Sequence, residues 1–278
     1  MLNLDASTQA MLLAVLSLLW KIIAAAGIVV VTGRLARSAG PVLTSVLVAL
    51  PVNAAPGMFF VALALDADFV AEGVLYSMAG AGPVLVYLTV FVQATRFRNF
   101  YLALPIGLAG WIFAAWLIAG LQLNVVSALL CVASGVIFAI IFNRRLPGGL
   151  EIVPVAAGWR YLLIRGGVAG GLIVTIATVA VDIGPVVAGL LLSFPTTLST
   201  TGWMLNGHYG LSFVTATYSS ARKALSLYVL FCLILLGFIT VLPGPLAVVA
   251  VVAALAVVAI IGAVFAVLFV RIRARALV

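Results

Sequence analysis

The 278-residue chain is 66% hydrophobic and 7% charged, and its mean hydropathy is +1.39. This composition excludes an ordinary soluble globular protein. The formal net charge is +8, but the basic residues stand at the ends of apolar runs, so they indicate membrane topology and not nucleic-acid binding. The lipid bilayer is the first predicted partner, and no nucleic acid is expected.

Many apolar runs are long enough to cross a bilayer as helices. Nine spans are predicted, at 9–32, 40–64, 72–95, 99–120, 124–143, 158–181, 184–206, 222–242 and 246–270. The connectors are short; the longest are Arg144–Gly158 and Gly207–Ala221. The predicted fold is an all-α integral membrane protein with no room for a soluble catalytic domain.

The charges predict the orientation of these spans. If the N-terminus lies outside, every Lys and Arg except Lys21 falls on or near the cytoplasmic side. The outer side then receives only carboxylates, namely Asp5, Asp66, Asp68, Glu72 and Asp182. An N-out/C-in, multi-pass topology is therefore expected.

A short motif occurs twice. Gly40-Pro41-Val42 recurs as Gly184-Pro185-Val186, and the same gapless offset places Pro51 on Pro195 and Lys21 on Arg165. Five predicted spans separate equivalent positions, so the second copy enters the membrane from the opposite side. We therefore predict two four-helix repeats of inverted topology, at 1–120 and 150–278, joined by a connecting helix and linker at 121–149.

Both copies contain an interrupted apolar helix. The first interruption is Pro51–Pro56, and the second lies in the hydroxyl-rich stretch Ser193–Trp203. Proline breaks a helix, and in hydrocarbon the freed backbone groups need other partners. Paired interrupted helices in corresponding positions are the best sequence indication of a transporter's binding site near the midplane. A pair of plain proline kinks is the structural alternative.

Several short motifs in the first copy resemble the GlpM-type family of small four-helix bacterial inner-membrane proteins. They are Gly33-Arg34-Leu35-Ala36-Arg37, Gly40-Pro41, Leu50-Pro51, Tyr76-Ser77-Met78, Pro83 and Val86-Tyr87-Leu88. The second copy keeps Phe194-Pro195-Thr196 but lacks the basic turn. The resemblance implies a bacterial cytoplasmic (inner) membrane location and an association with carbohydrate, glycerol or exopolysaccharide metabolism. It implies no catalytic residues.

The predicted substrate-binding residues are the polar side chains of the two interruptions together with an intramembrane lysine: Lys21, Asn53, Thr196, Thr197, Ser199 and Thr200. Lys21 lies near the middle of its span, where a charge is costly and by default indicates function. The alternative is a lysine that reaches water or pairs with a carboxylate. Its counterpart Arg165 lies nearer the end of its span, so we expect it to reach the cytoplasmic surface.

Thr196, Thr197 and Ser199 are also expected to cap the helix that restarts after Pro195. His208, Glu72 and Asp182 are weaker candidates for gating or coupling, because each is predicted at a rim or loop where a solvated polar residue is ordinary. A lone histidine and two isolated cysteines, Cys131 and Cys232, predict no metal site and no cofactor.

The leading hypothesis is a small secondary transporter, or channel-like carrier, for a polar or anionic small solute, coupled to Na⁺ or H⁺ or uncoupled. The alternative is a non-transporting membrane subunit of a polysaccharide- or lipid-handling complex. An enzyme is not expected, because the sequence has no nucleophile–His–Asp set and no phosphate loop. A homodimer is left open.

Overall fold

The computed structural model describes residue 51 and residues 54–142, 159–222, 225–242 and 246–275, together with helical positions 19, 20, 23, 24 and 27. Side chains are described throughout these ranges except at 220 and 265–275. The described part is helical and contains no strand. The all-α fold class is therefore confirmed for these residues.

Ten α-helices and one 3-10 turn make up the described part. They are α1 (Ala54–Ala64), α2 (Ala67–Ala79), α3 (Ala81–Ala94), the 3-10 turn Thr95–Phe97, α4 (Phe100–Ala119), α5 (Val125–Phe142), α6 (Trp159–Leu192), α7 (Thr196–Tyr209), α8 (Leu211–Ala221), α9 (Leu225–Val241) and α10 (Ala247–Arg275). Side-chain caps start three of them: Asp66 accepts a hydrogen bond from the Phe69 amide, Asn99 from the Tyr101 amide and Asn124 from the Ser127 amide.

Within this part, five segments are long and apolar enough to cross a membrane: Ala67–Phe97, Phe100–Ala119, Val125–Phe142, Trp159–Leu192 and Ala247–Val264. They overlap the predicted spans 72–95, 99–120, 124–143, 158–181 and 246–270. The helices Ala54–Ala64 and Leu225–Val241 are apolar but shorter. The protein is thus a helical chain with several membrane-type helices, and the full set of nine spans stays a prediction.

The pair α2–α3 is the centre of the fold. In the most apolar 18-residue stretch of this pair, 83% of the residues are buried inside the protein. In the other four candidate spans the corresponding share is 17–33%. Glycines allow the close approaches: a Cβ on Gly189 of α6 would collide with the backbone of Gly73, and one on Gly135 of α5 would lie 2.7 Å from the Gly82 Cα. Helices that approach backbone to backbone at small residues are typical of membrane packing.

The chain reverses direction at Gly184, inside the segment that forms α6. Gly184 has φ 74° and ψ 168°, a conformation that is essentially restricted to glycine. A Cβ on Gly57 would contact the side chains of both Leu192 and Ile173, whereas one unbroken helix would hold these residues about 28 Å apart. Residues 159–183 and 185–192 therefore run antiparallel, as the predicted connector at Asp182 requires.

A second reversal lies at Gly210, which has φ 77° and ψ 174°. The Tyr218 hydroxyl donates to the Leu198 carbonyl at 2.5 Å, although these residues would be about 30 Å apart in an unbroken helix. Helices α7 and α8 thus form a hairpin. The predicted connector Gly207–Ala221 contains this reversal at Gly210, and the residues that follow it in the connector are helical.

Among the described residues, the acidic side chains and the exposed basic side chains lie at opposite ends of the helical body. At one end Tyr76 donates to the Leu121 carbonyl, and Gly73 of α2 lies beside Pro185, which brings the segments carrying Glu72 and Asp182 together. At the other end of α5, Gln93 donates to the Phe142 carbonyl and Arg222 to the Ala139 carbonyl. This separation is what the predicted topology requires; the orientation itself stays a prediction.

Candidate functional site

The second predicted interruption is present between α6 and α7. Helix α6 ends at Leu192, α7 begins at Thr196, and the three residues between them are not helical. Pro195 has no amide donor, so it cannot continue the helix of the preceding turn. Two tight turns close the gap, with the Ser193 amide donating to the Leu190 carbonyl and the Phe194 amide to the Leu191 carbonyl, both at 3.0 Å.

The start of α1 lies against this break. The Ala55 amide donates to the Pro51 carbonyl at 2.9 Å, and Pro56 occupies the first turn, where its missing donor costs nothing. One residue later, a Cβ on Gly57 would collide with the Leu192 side chain. The structure therefore brings the beginning of α1 and the end of α6 into contact. Residues 52 and 53 lie outside the described residues, as does most of the helix predicted before them.

The predicted hydroxyl residues of α7 lie inside the protein, but their hydroxyl groups are bonded. Thr196, 7% exposed, bonds the Phe194 carbonyl at 3.4 Å through Oγ1. Thr200 donates to the Thr196 carbonyl at 2.9 Å. Thr197 and Ser199 are half-buried beside them. Pro195 holds the N-cap position, and no side chain there accepts an amide hydrogen. The expected capping by Thr196 or Ser199 is not found, because Thr196 bonds a carbonyl and Ser199 a tyrosine.

The remaining predicted residues are not brought to this place. Lys21 and Asn53 lie outside the described residues. Glu72 and Asp182 are exposed at the acidic end of the helical body, and His208 is exposed at the end of α7, with its ring centroid 6.2 Å from that of Tyr209. These three side chains therefore lie at the surface. Their predicted roles in gating or coupling stay predictions.

A chain of hydroxyls extends from the first turn of α7 into the core. The Tyr87 hydroxyl lies 3.2 Å from Ser199 Oγ and 3.2 Å from the Tyr218 hydroxyl. Since Tyr218 donates its only hydroxyl hydrogen to the Leu198 carbonyl, Tyr87 donates to Tyr218 and Ser199 donates to Tyr87. Three hydroxyls from α3, α7 and α8 therefore form one directed network, and each hydrogen in it has an acceptor.

A second polar contact lies next to this network. The Tyr161 hydroxyl of α6 donates to Thr201 Oγ1 at 3.1 Å, and the Arg165 guanidinium interacts with the same Tyr161 side chain one turn away. Tyr161 and Tyr218 also lie close enough to interact electrostatically. The two contacts make one polar cluster, which we define as Tyr87, Tyr161, Arg165, Ser199, Thr201 and Tyr218.

Aromatic and apolar groups enclose the break. The Trp111 ring meets the Phe194 ring edge to face at 4.9 Å, and Trp111 is 5% exposed. Its Nε1 has no hydrogen-bond partner within the described ranges. On the other side, Gly80 between α2 and α3 lies against Ser193. The break is thus walled by apolar surface, with its hydroxyls on the α7 side.

Sequence reasoning missed the three tyrosines of the polar cluster. Tyr161 and Tyr218 carry no local pattern, and Tyr87 was noticed only within a family motif. Their importance arises from contacts between distant parts of the chain, such as Tyr87 with Ser199. A signal that could have found them is the hydrogen-bonding requirement of a tyrosine hydroxyl in an apolar helix.

Metal ligands do not cluster in the described part of the chain: no three His, Cys, Asp or Glu side chains come together there. Cys131 and Cys232 are free thiols on α5 and α9. The polar cluster contains hydroxyls and a guanidinium, which are poor ligands for transition metals but good partners for anions.

Comparison of the chain with models of protein families, with curated proteins and with solved structures gave no match. The resemblance to GlpM-type proteins therefore stays an expectation that rests on the short motifs that carry it. The geometry of the interrupted helix and of the polar cluster is what bears on the function of the protein.

Proposed function

We propose that the protein is a small secondary transporter that moves a polar or anionic small solute past the α6–α7 break. The observation that carries this proposal is the interruption of an apolar helix at Ser193–Pro195, in contact with the start of α1 and followed by a turn rich in hydroxyls. Interrupted helices that meet inside a membrane body are how many transporters build their binding sites.

The physical reason is the state of the backbone at a break. A helix that ends and restarts has terminal amides and carbonyls without intrahelical partners. In hydrocarbon such groups are tolerated only where they are buried in protein or line a water-filled cavity. A solute with polar groups can satisfy them and can be released again, which is what a carrier requires.

The proposed mechanism, membrane location, orientation and coupling ion are those that the sequence predicts. Two inverted repeats would rock against each other around the break and expose the solute alternately to the two sides. The protein would lie in a bacterial inner membrane with its N-terminus outside, and Na⁺ or H⁺ would be the coupling ion if transport is coupled. Lys21 and Asn53 would contribute from the first repeat.

Uptake into proteoliposomes tests the proposal. Purified protein would be reconstituted and supplied with radiolabelled phosphate, acetate, succinate and glycerol 3-phosphate, with and without Na⁺ and pH gradients. We expect saturable uptake of at least one of these solutes. Ser199→Ala should lower that uptake, because it removes the hydroxyl that links the break to Tyr87.

Thr215→Val is the matched control, because the Thr215 hydroxyl donates to the Leu211 carbonyl of its own helix; this variant should transport normally. Absence of uptake for the whole panel, with folded protein in the membrane, would contradict the transporter. That result would favour the accessory subunit, a role that fits hydroxyls already bonded to nearby backbone carbonyls at Thr196 and Thr200.

A further inference from the structure

One cation lies among the hydroxyls of the polar cluster. Arg165 is on the first arm of α6, and its Nε is buried without a hydrogen-bond partner within the described part of the chain. The sequence predicted that this side chain would reach the cytoplasmic surface, yet its Nε lies inside and its guanidinium interacts with Tyr161. Arg160, five residues earlier on the same helix, is exposed.

The hydroxyl donors of the cluster are almost all used. The hydroxyl hydrogens of Ser199, Tyr87 and Tyr218 are each donated along the directed network. Tyr161 donates to Thr201, so Thr201 accepts there and still has its own hydroxyl hydrogen to donate. Among the described residues Arg165 Nε has no acceptor, and the Thr201 hydroxyl hydrogen has no acceptor there either; the Tyr161 hydroxyl bonds both of these side chains.

No carboxylate in the described ranges neutralises Arg165. The described carboxylates lie at the acidic end of the helical body or at the start of α2. They are Asp66, Asp68, Glu72 and Asp182. A charge in a membrane interior is costly unless it is paired, and such residues generally mark substrate pathways. An acceptor that is itself an anion would satisfy the charge and both donors together.

We propose that Arg165 and Thr201 bind one oxyanion group, a carboxylate or a phosphate, of the transported solute. This inference rests on the proposed transport function. It places the anionic group of the solute at Arg165 and Thr201, between the α6–α7 break and the basic end of the helical body. Tyr161 is a positioning residue, because its hydroxyl bonds both Thr201 and the Arg165 guanidinium and so holds the two side chains at one site.

Arginine suits this role better than lysine. The guanidinium presents Nε and one Nη as parallel donors, which match the two oxygens of a carboxylate or phosphate. A lysine at this position would keep the charge but offer a single flexible ammonium. Arg165→Lys should therefore bind the oxyanion more weakly than the wild type, and Arg165→Gln should bind it least.

The group bound could come from a free solute or from the phosphate of a lipid headgroup. Melting midpoints of the full-length protein in nanodiscs distinguish the two sources. One set of nanodiscs would contain only phosphatidylcholine and be titrated with sodium phosphate, sodium acetate or sodium chloride. A second set would contain phosphatidylglycerol and receive no added oxyanion.

In phosphatidylcholine nanodiscs, phosphate or acetate should raise the midpoint of the wild type and of Arg160→Gln in a saturable manner, because a ligand that binds only the folded state stabilises it. Chloride should not. The half-saturating concentration should rise about tenfold or more in Arg165→Gln, the cost of losing a hydrogen bond to a charged group. If Arg165→Gln does not fold, the same comparison is made with Arg165→Lys and Thr201→Val.

Equal stabilisation of Arg165→Gln and the wild type would overturn the inference, as would stabilisation by phosphatidylglycerol alone or a shift that Arg160→Gln removes. Failure of the inference is distinguishable from failure of transport. Uptake that survives Arg165→Gln would refute this site and leave the transporter in place. Oxyanion binding that depends on Arg165, without uptake of any solute, would refute transport and leave the site.

Discussion

Gly80 lies directly against Ser193, so that a Cβ built on Gly80 would be 2.7 Å from the Ser193 Cβ. Gly80 joins α2 to α3 at the centre of the fold, and Ser193 is the first residue of the α6–α7 break. The break is therefore packed on the most buried element of the protein and is not a frayed helix end.

Gly80→Ala should destabilise the protein by about 1–3 kcal/mol, the usual cost of overpacking a core. Its backbone is ordinary, with φ −60°, so the effect would come from lost space alone. Unfolding free energy from SDS titration in mixed micelles measures it. Ser193→Gly should restore much of the loss in the double variant, and Gly167→Ala, where a Cβ meets nothing within 4 Å, is the matched control. Equal effects at 80 and 167 would contradict the packing.

Replacement of Gly184 by alanine tests the reversal that separates the arms of α6. A Cβ at Gly184 meets nothing within 4 Å, but its φ of +74° is unfavourable for any other residue. Gly184→Ala, and likewise Gly210→Ala, should cost about 1–3 kcal/mol in stability. Gly207→Ala, at a helical position with equal space, should be neutral or slightly stabilising. A neutral Gly184→Ala would mean that the chain does not turn there.

Tyr228 and Ser77 make a buried polar pair outside the polar cluster. The Tyr228 hydroxyl lies 2.5 Å from Ser77 Oγ and donates to the Ser77 carbonyl at 3.0 Å. Tyr228→Phe should cost about 1 kcal/mol, because buried Ser77 loses its partner. Adding Ser77→Ala should cost little more, whereas Tyr101→Phe, at a side chain that is 68% exposed, should have no effect. Additive losses in the double variant would show that the pair is not coupled.

The features that were predictable from sequence are those with a local cause. Pro195 predicted the interruption of the helix, because proline acts on its own backbone, and the boundary between the apolar runs 158–181 and 184–206 predicted a reversal beside Gly184. A reversal within Gly207–Ala221 was predicted, but not that it lies at Gly210 alone, since a single glycine without a proline is also common inside helices. The polar cluster was missed because its hydrogen bonds join residues far apart in sequence, as between Tyr87 and Ser199.

The expected capping of α7 by Thr196 is not found, and the reason is physical. A break frees carbonyls as well as amides, and a short hydroxyl side chain in a helix reaches a carbonyl of the preceding turn readily. Thr200 bonds the Thr196 carbonyl in this way, and Thr196 bonds the Phe194 carbonyl of the break itself. The sequence predicts that hydroxyl side chains beside a break bond to the backbone. Whether the bonded backbone group is an amide or a carbonyl depends on the geometry of the turn.

Cysteine accessibility at Ser199 tests most directly the central claim that the α7 side of the break is reached from water on both sides. In a Cys131→Ala/Cys232→Ala background, Ser199→Cys would be reconstituted and treated with a membrane-impermeant methanethiosulfonate reagent, added outside the liposomes or enclosed within them. His208→Cys, at an exposed end of α7, and Ile112→Cys, on an exposed apolar face of α4, are the labelled and unlabelled controls. We expect labelling of Ser199→Cys from each side. Protection from both sides, while His208→Cys reacts, would contradict it.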